Sequence, residues 1–424
     1  MTGCLCVLAG LLLGQADAAA DDEVALEVLR LVRQLNADTL AERDGAEKAL
    51  IEMGPAILDH LPTITKRTPE DVKLRLRRIQ QILQQRHAEE SIQASRITLK
   101  ADGRPLSEVL AAIQEQSGNK IVDLRDRFGH EKTDPAITIE LEETPFFEAL
   151  DRVLDQAGMT VYPYTQERAV AVVARRESQK PAAGRVAYAG PFRIEATVVT
   201  ARRDLRDPTG NAVQVTLVIM WEPRVRPINL VQKLEELTAV DENGGSLLPE
   251  EARGELAAMA GNEVACELQM PLKLPPRDVK RVAKLEGKLL AMVPGRVEEF
   301  RFGDLEVAKN VSKRVAGVTV TLVEVRRSFQ LWEFRVSVRY DEAGESLESY
   351  RGWIFNNEAY LEDRQGGRVE VAGLETTRQT EDMVEFAYRF APEKELHNYR
   401  FVYKTPSLVV STDFDYALTD VELP

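Results

Sequence analysis

The sequence predicts a multidomain α+β protein: a helical N-terminal arm, a βαβ–βαβ–β module and two tandem all-β sandwich-like repeats. Three observations predict it. Between Val24 and Glu90 the apolar residues recur at helical spacing. A phrase beginning at Ile97 returns, without a gap, forty residues later at Ile137. Beyond the Pro- and Ala-rich stretch ending at Pro191 the pattern changes to alternation, the period of strands. At 424 residues the chain exceeds one ordinary core.

Residues 1–20 read as a secretory signal peptide. Cys4 to Leu13 is an apolar run, and small residues follow with an A-x-A site at Ala16/Ala18 or Ala18/Ala20. The run is too short to span a bilayer. Cys4 and Cys6 stand at its start and not in a small-residue box after it, so no lipid anchor is expected. Cleavage would remove one Asp and no Lys or Arg, taking the net charge from −14 to −13. It would also leave Cys266 without an intrachain disulfide partner, and no Cys-based zinc site is expected. The acidic balance argues against a general nucleic-acid binder and disfavours docking on anionic lipid. An exported bacterial protein, periplasmic or extracellular, is expected.

Residues 21–92 are helical by pattern. Val24, Leu26, Val28, Leu29, Val32 and Leu35 share a stripe. Asp38 or Thr39 can cap a second helix, which Gly54-Pro55 stops. Thr68-Pro69-Glu70-Asp71 opens a third, with Val72, Leu76, Ile79 and Leu83 as its stripe. The phrase "A..AL..MGP..L..L" with an arginine-rich helix after it resembles a HEAT-type helical repeat. A solenoid needs several repeats, so a small cap or interaction arm is expected. The run Lys73, Arg75, Arg77 and Arg78 reads as a solvated helix face, since no aromatics interleave with it.

Residues 96–176 hold the repeat. Ile97 corresponds to Ile137, Pro105 to Pro145, Glu108 to Glu148, Leu110 to Leu150, Gln116 to Gln156 and Gly118 to Gly158. Each copy is a strand, a helix begun by proline and closed by glycine, and a second strand. "RAVAVVARR" adds a last strand. The phrases "PLSEVLAAIQEQSG" and "TPFFEALDRVLDQAGMTV" resemble the short N-terminal (STN) domain of secretins and TonB-dependent receptors. That resemblance implies a periplasmic, non-catalytic module that docks on partner proteins or on copies of itself. No secretin pore or TonB-type barrel pattern follows, so neither export nor uptake is implied. Phe146 falls where the first copy has Leu106, a core position. Phe147 falls where it has polar Ser107. Phe147 is therefore the expected partner contact, and its change to Ser should be tolerated.

Residues 177–190 read as a linker. The two β-repeats are expected at 191–308 and 309–424. Arg202-Arg203 corresponds to Arg326-Arg327, the turn "DENGGS" to "EDRQGGR", and Pro275 to Pro392. Each repeat has the strand spacing of a sandwich. "PEEARGELAAMAGNE" reads as a helical or loop insertion in the first repeat alone.

No constellation for chemistry stands out. His60, His87, His130 and His397 are scattered and lack ligand spacing. Asp413 and Asp415 share a strand face but lack a calcium loop. The Gly-Gly turns suit hairpins better than phosphate cradles. No cofactor, metal or catalytic residue is expected. Arg202, Arg203, Arg326 and Arg327 join Phe147 as partner-contact candidates. The expected function is non-enzymatic protein binding or scaffolding in a cell envelope, through an envelope protein or self-association. The alternative is carbohydrate or surface-polymer binding by the β-repeats, with Trp332 and Trp353 stacking on sugars. A hydrolase with carboxylates from both β-repeats ranks behind these.

Overall fold

The structure is a computed structural model. It describes residues 23–62, 64–65, 67–165, 167–179, 181, 185–259, 263–315, 317–340, 354, 357–380 and 383–424. The expected signal peptide and Trp353 lie outside these residues. The chain is mostly β, with several sheets and a few helices towards the N-terminus, an α+β arrangement. Among the described residues no helix is long and apolar enough to cross a membrane.

Two compact units emerge. One holds residues up to Glu90 with Gly295–Glu342 and Ala359–Leu408; the other holds Ser91–Pro294 with Ala343–Glu358 and Val409–Pro424. The expected partition at 308/309 is therefore not how the chain divides. The C-terminal sixteen residues, 409–424, fold with the earlier β-segment, where Tyr416, Leu418 and Val421 enter its core.

In the first unit, helix α1 is described over 23–34. Helix α2 spans Leu40–Glu52, with Thr39 as its cap: the hydroxyl accepts from the Glu42 amide at 3.3 Å. Gly54, at φ +80°, turns the chain into a short 3-10 helix, Pro55–His60. Helix α3 spans Glu70–Ser91. Val28, Leu35, Leu50, Leu76, Ile79 and Leu83 bury the stripe read from the sequence. The basic run is less solvated than expected. The Arg75 guanidinium reaches Glu47 at 2.5 Å and Asp44 at 2.9 Å, both on α2.

In the second unit, β1 (Arg96–Pro105), α4 (Leu106–Ser117) and β2 (Ile121–Asp123) are followed by β3 (Ala136–Pro145), α5 (Phe146–Gln156), β4 (Met159–Tyr162) and β5 (Val170–Ala174). Strands β1 and β3 pair antiparallel, Arg96 opposite Pro145 and Pro105 opposite Ala136. Strand β5 lies between β2, which is parallel to it, and β4, which is antiparallel. The forty-residue repeat persists bond for bond. Gln116 Oε1 accepts from the Thr98 amide at 3.1 Å, and Gln156 Oε1 accepts from the Thr138 amide at 3.2 Å. Gly118 and Gly158 stand at φ +67° and +65°. The Leu106 amide donates to the Pro135 carbonyl and the Phe146 amide to that of Ser95, so the two copies exchange equivalent bonds about a local two-fold.

The same unit continues with β6 (Val186–Ala189), β7 (Phe192–Arg202), β8 (Ala212–Trp221), β9 (Asn229–Lys233), β10 (Thr238–Asp241), β11 (Glu255–Met259), β12 (Ala265–Leu272) and the part of β13 (Arg281–Phe302) up to Pro294. One sheet runs β12-β8-β7-β6. Strand β9 pairs with β11 and β13, and β10 with β13. Two readings are corrected. The linker is shorter, because Val186–Ala189 pairs with β7. The insertion at 249–263 is neither helix nor plain loop: Glu255–Met259 is a strand, and its backbone is satisfied by β9.

Strands β14 (Lys309–Val315), β15 (Val318–Ser328), β16 (Leu331–Tyr340), β17 (Ala359–Asp363), β18 (Arg368–Glu370), β19 (Gly373–Gln379), β20 (Met383–Phe390) and β21 (Tyr399–Glu422) complete the chain. They form a sheet β14-β15-β16-β20-β19, with β17 between β18 and β21. The two Gly-Gly turns match in detail. Asp241 Oδ1 accepts from the amides of Asn243 and Gly245, both at 2.8 Å. Asp363 Oδ1 accepts from Gln365 at 2.9 Å and Gly367 at 2.8 Å. Gly244 and Gly366 take φ +82° and +83°, the left-handed position a tight turn needs.

Candidate functional site

A broad cleft of about 1180 Å3 lies within the second unit. Strand β4 and the segment after it form one wall. Strand β7 forms another, and residues 419–424 a third. The volume exceeds that usual for a small-molecule pocket and suits a length of extended polymer.

An aromatic ladder marks the β4 wall. Phe128 meets Tyr162 edge-on at 5.1 Å, and Tyr162 meets Tyr164 at 5.6 Å. Phe128 and Tyr164 are 46% and 56% exposed, so the ladder offers apolar surface to a visitor. Tyr164 is nonetheless held. Its hydroxyl donates to Glu267 at 2.5 Å, and this bond, helped by burial, pushes the phenol up to about 12. The charges are mixed: Arg176 and His130 are exposed at the wall, while Glu195 and Asp420 are engaged by Arg193 and Arg281.

Below the cleft a buried ion cluster joins α5 to the sheet. Arg193 Nε donates to Asp151 Oδ2 at 2.8 Å, and its Nη1 to Glu195 at 2.7 Å. The Tyr188 hydroxyl donates to the same Asp151 oxygen at 2.7 Å. Burial opposes the Arg193 charge, but the two carboxylates outweigh it and raise its pKa. Burial first, and the Asp151 charge second, push the Tyr188 phenol up. A second cluster surrounds Glu222. Its carboxylate accepts from the Ser95 amide at 2.8 Å, the Ser95 hydroxyl at 2.5 Å, Asn119 at 2.7 Å and Arg224 at 2.7 Å. Both clusters tie separate elements of the unit together through side-chain hydrogen bonds.

The sequence-predicted contacts fall in different places. Phe147 is corrected: it is 3% exposed and packs edge-on against Phe146 at 5.1 Å. The physical reason is its spacing from Asp151, four residues on along α5, which turns both onto the face met by β6 and β7. Phe147 serves the chain's own sheet, where the equivalent Ser107 is exposed and bonds Asp134. Arg202, Arg203, Arg326 and Arg327 are exposed as expected. Arg202 sits 3.6 Å from Asp204, and Arg326 donates to Glu333 at 2.8 Å. Trp332 is half-buried in β16. His397 shares an exposed cluster with Glu306 and Glu395, Nδ1 lying 3.6 and 3.4 Å from their oxygens. Sequence reasoning missed Phe128, Tyr162 and Tyr164. The signal available was the "VYPY" phrase, a strand that ends in two tyrosines either side of a proline.

No known protein-family model and no curated protein matches this chain.

Proposed function

We propose that the chain is an exported, non-enzymatic binding or scaffold protein of a bacterial envelope, and that residues 96–176 are an STN-like module that docks a protein. The observation that carries this reading is the exposed ladder Phe128–Tyr162–Tyr164 beside a long cleft. Aromatic side chains with an apolar body and polar tip are the favoured anchors of protein interfaces. The local two-fold of the module supports the family resemblance. The matched Asp241 and Asp363 turns support two β-repeats of common plan. The apolar start of the sequence supports export. Carbohydrate stacking is less well served, since successive rings meet at 66° and 77° and present no single flat platform.

The test uses the full mature chain. Phe128→Ser with Tyr164→Ser should abolish both capture of envelope proteins and any self-association seen by sedimentation velocity, with the melting temperature unchanged. Unaltered capture and self-association in that variant would sink the docking reading, as would the wild-type chain showing neither. Retention on a glycan array, lost in the same variant, would move the function to polymer binding.

A further inference from the structure

Three large hydrophobic side chains among the described residues are more than four-fifths exposed: Leu205 at 89%, Val307 at 81% and Phe329 at 97%. Two of them stand at the same place in the two β-repeats. Leu205 follows Arg202-Arg203-Asp204 where β7 ends, and Phe329 follows Arg326-Arg327-Ser328 where β15 ends. A scattered exposed hydrophobic needs no explanation, but the same one at both copies of a hairpin does.

Each tip is built rather than loose. Asp204 Oδ1 accepts from the amides of Arg206 and Asp207, and the Asp204 amide donates to Asn211, so the loop is tied internally with Leu205 outside. In the other hairpin Ser328 pairs with Leu331, leaving Phe329 at φ +56°. Glycine or asparagine is the usual occupant of such a position, and a bulky aromatic there is disfavoured. The arginines repeat as well. The first of each pair meets a carboxylate, Arg202 with Asp204 and Arg326 with Glu333. The second, Arg203 or Arg327, has no carboxylate among the described residues and is exposed.

We propose that these two hairpin tips are reversible contacts with an anionic phospholipid surface: Leu205 and Phe329 enter the acyl boundary while Arg203 and Arg327 bind headgroup phosphates. The substitution between copies favours lipid over a protein pocket. Leu and Phe differ in shape by a whole ring, which a fitted cavity would notice and a fluid bilayer does not. Arginine matches phosphate through its planar fork. The acidic net charge of the chain does not forbid this, because exposed charges act over about one Debye length, roughly 8–10 Å in physiological salt. Each unit carries one such tip, and a single inserted side chain anchors weakly, which fits a reversible contact. The inference is independent of the proposed protein docking.

The experiment is flotation of the mature chain with vesicles of phosphatidylcholine alone and of phosphatidylcholine containing phosphatidylglycerol. Binding is expected only with phosphatidylglycerol, weakening as salt rises. Leu205→Ser with Phe329→Ser should lower the partition coefficient by about tenfold or more, with an unchanged melting temperature, since neither side chain is core. Arg203→Glu with Arg327→Glu should do the same. Phe329→Trp should give a blue-shifted emission on phosphatidylglycerol vesicles. Absence of binding to those vesicles would overturn the proposal. So would binding untouched by the Leu205/Phe329 variant, or emission unshifted in Phe329→Trp. Capture of an acidic protein through the tips without vesicle binding would overturn it in favour of a protein partner.

Discussion

Arg193 and Asp151 lie 2.8 Å apart with side chains only 2% and 6% exposed, an ion pair sealed between helix α5 and strand β7. A buried pair is weak evidence of net stability, because desolvating both charges offsets much of their attraction. Removing one partner is another matter, since the remaining charge stays buried. Asp151→Ala should therefore cost about 3 kcal/mol, tempered by the Glu195 carboxylate that still faces Arg193. Asp151→Leu combined with Arg193→Met and Tyr188→Phe should recover most of that loss. Urea melts would decide it; equal losses in the single and combined variants would mean that packing, not charge, sets the cost.

What could be read from the sequence was what local chemistry dictates. Pro105 and Pro145 open helices, Gly118 and Gly158 close them, and Asp241 and Asp363 build the same turn, all from residues within a few positions of one another. The clusters that join elements were not readable. Asp151 finds Arg193 at a separation of 42 residues, and Glu222 finds Asn119 at 103. Nothing in either local phrase states which surfaces meet. Phe147 shows the same limit: comparing the two copies correctly singles out its position as different, but whether the covering surface is foreign or the chain's own is a tertiary fact. Arg193 inside the apolar strand "PFRIEA" was the one hint that a carboxylate would be waiting.

Phe146 and Phe147 should fail alike. Both side chains are buried in one cluster, at 0% and 3% exposure. Changing either to Ser deletes a ring and leaves a hydroxyl in an apolar site, at a cost of about 3–5 kcal/mol. Thermal melts of the two variants should shift by similar amounts. A near-native melt for Phe147→Ser would return that ring to the list of surface contacts.

The glycines should separate into two classes. A Cβ at Gly118 or Gly158 meets nothing within 4 Å, so alanine there should cost only the left-handed backbone, about 1 kcal/mol each. A Cβ at Gly287 would overlap Gln232 Oε1 and the Tyr416 hydroxyl, which bond to each other at 2.9 Å. Gly287→Ala should cost about 2–3 kcal/mol and break the Tyr416–Gln232 bond, which passes over β13 between β21 and β9. Hydrogen exchange at residues 416–421 provides the readout: faster exchange in Gly287→Ala alone is expected, and equal rates in all three variants would defeat the distinction.

Asp363 should confer an acid-sensitive contribution on its turn. Lys394 donates to its carboxylate at 2.8 Å, and with the amides of Gln365 and Gly367 it holds the pKa down to about 2. An unfolded aspartate titrates near ~3.9. The folded state therefore releases the proton more readily than the unfolded state, and the stabilisation is present above that unfolded value. It declines as pH falls and is gone once the pH passes below about 2, where both states are protonated. Asp363→Asn removes the titration and the ion pair but keeps a side-chain oxygen for the turn amides. Its stability should fall short of wild type at neutral pH and approach it in acid. The carboxyl carbon shift of Asp363, followed by NMR titration, checks the pKa directly. A midpoint near that of a free aspartate, or a constant difference between the two proteins at every pH, would rule the contribution out.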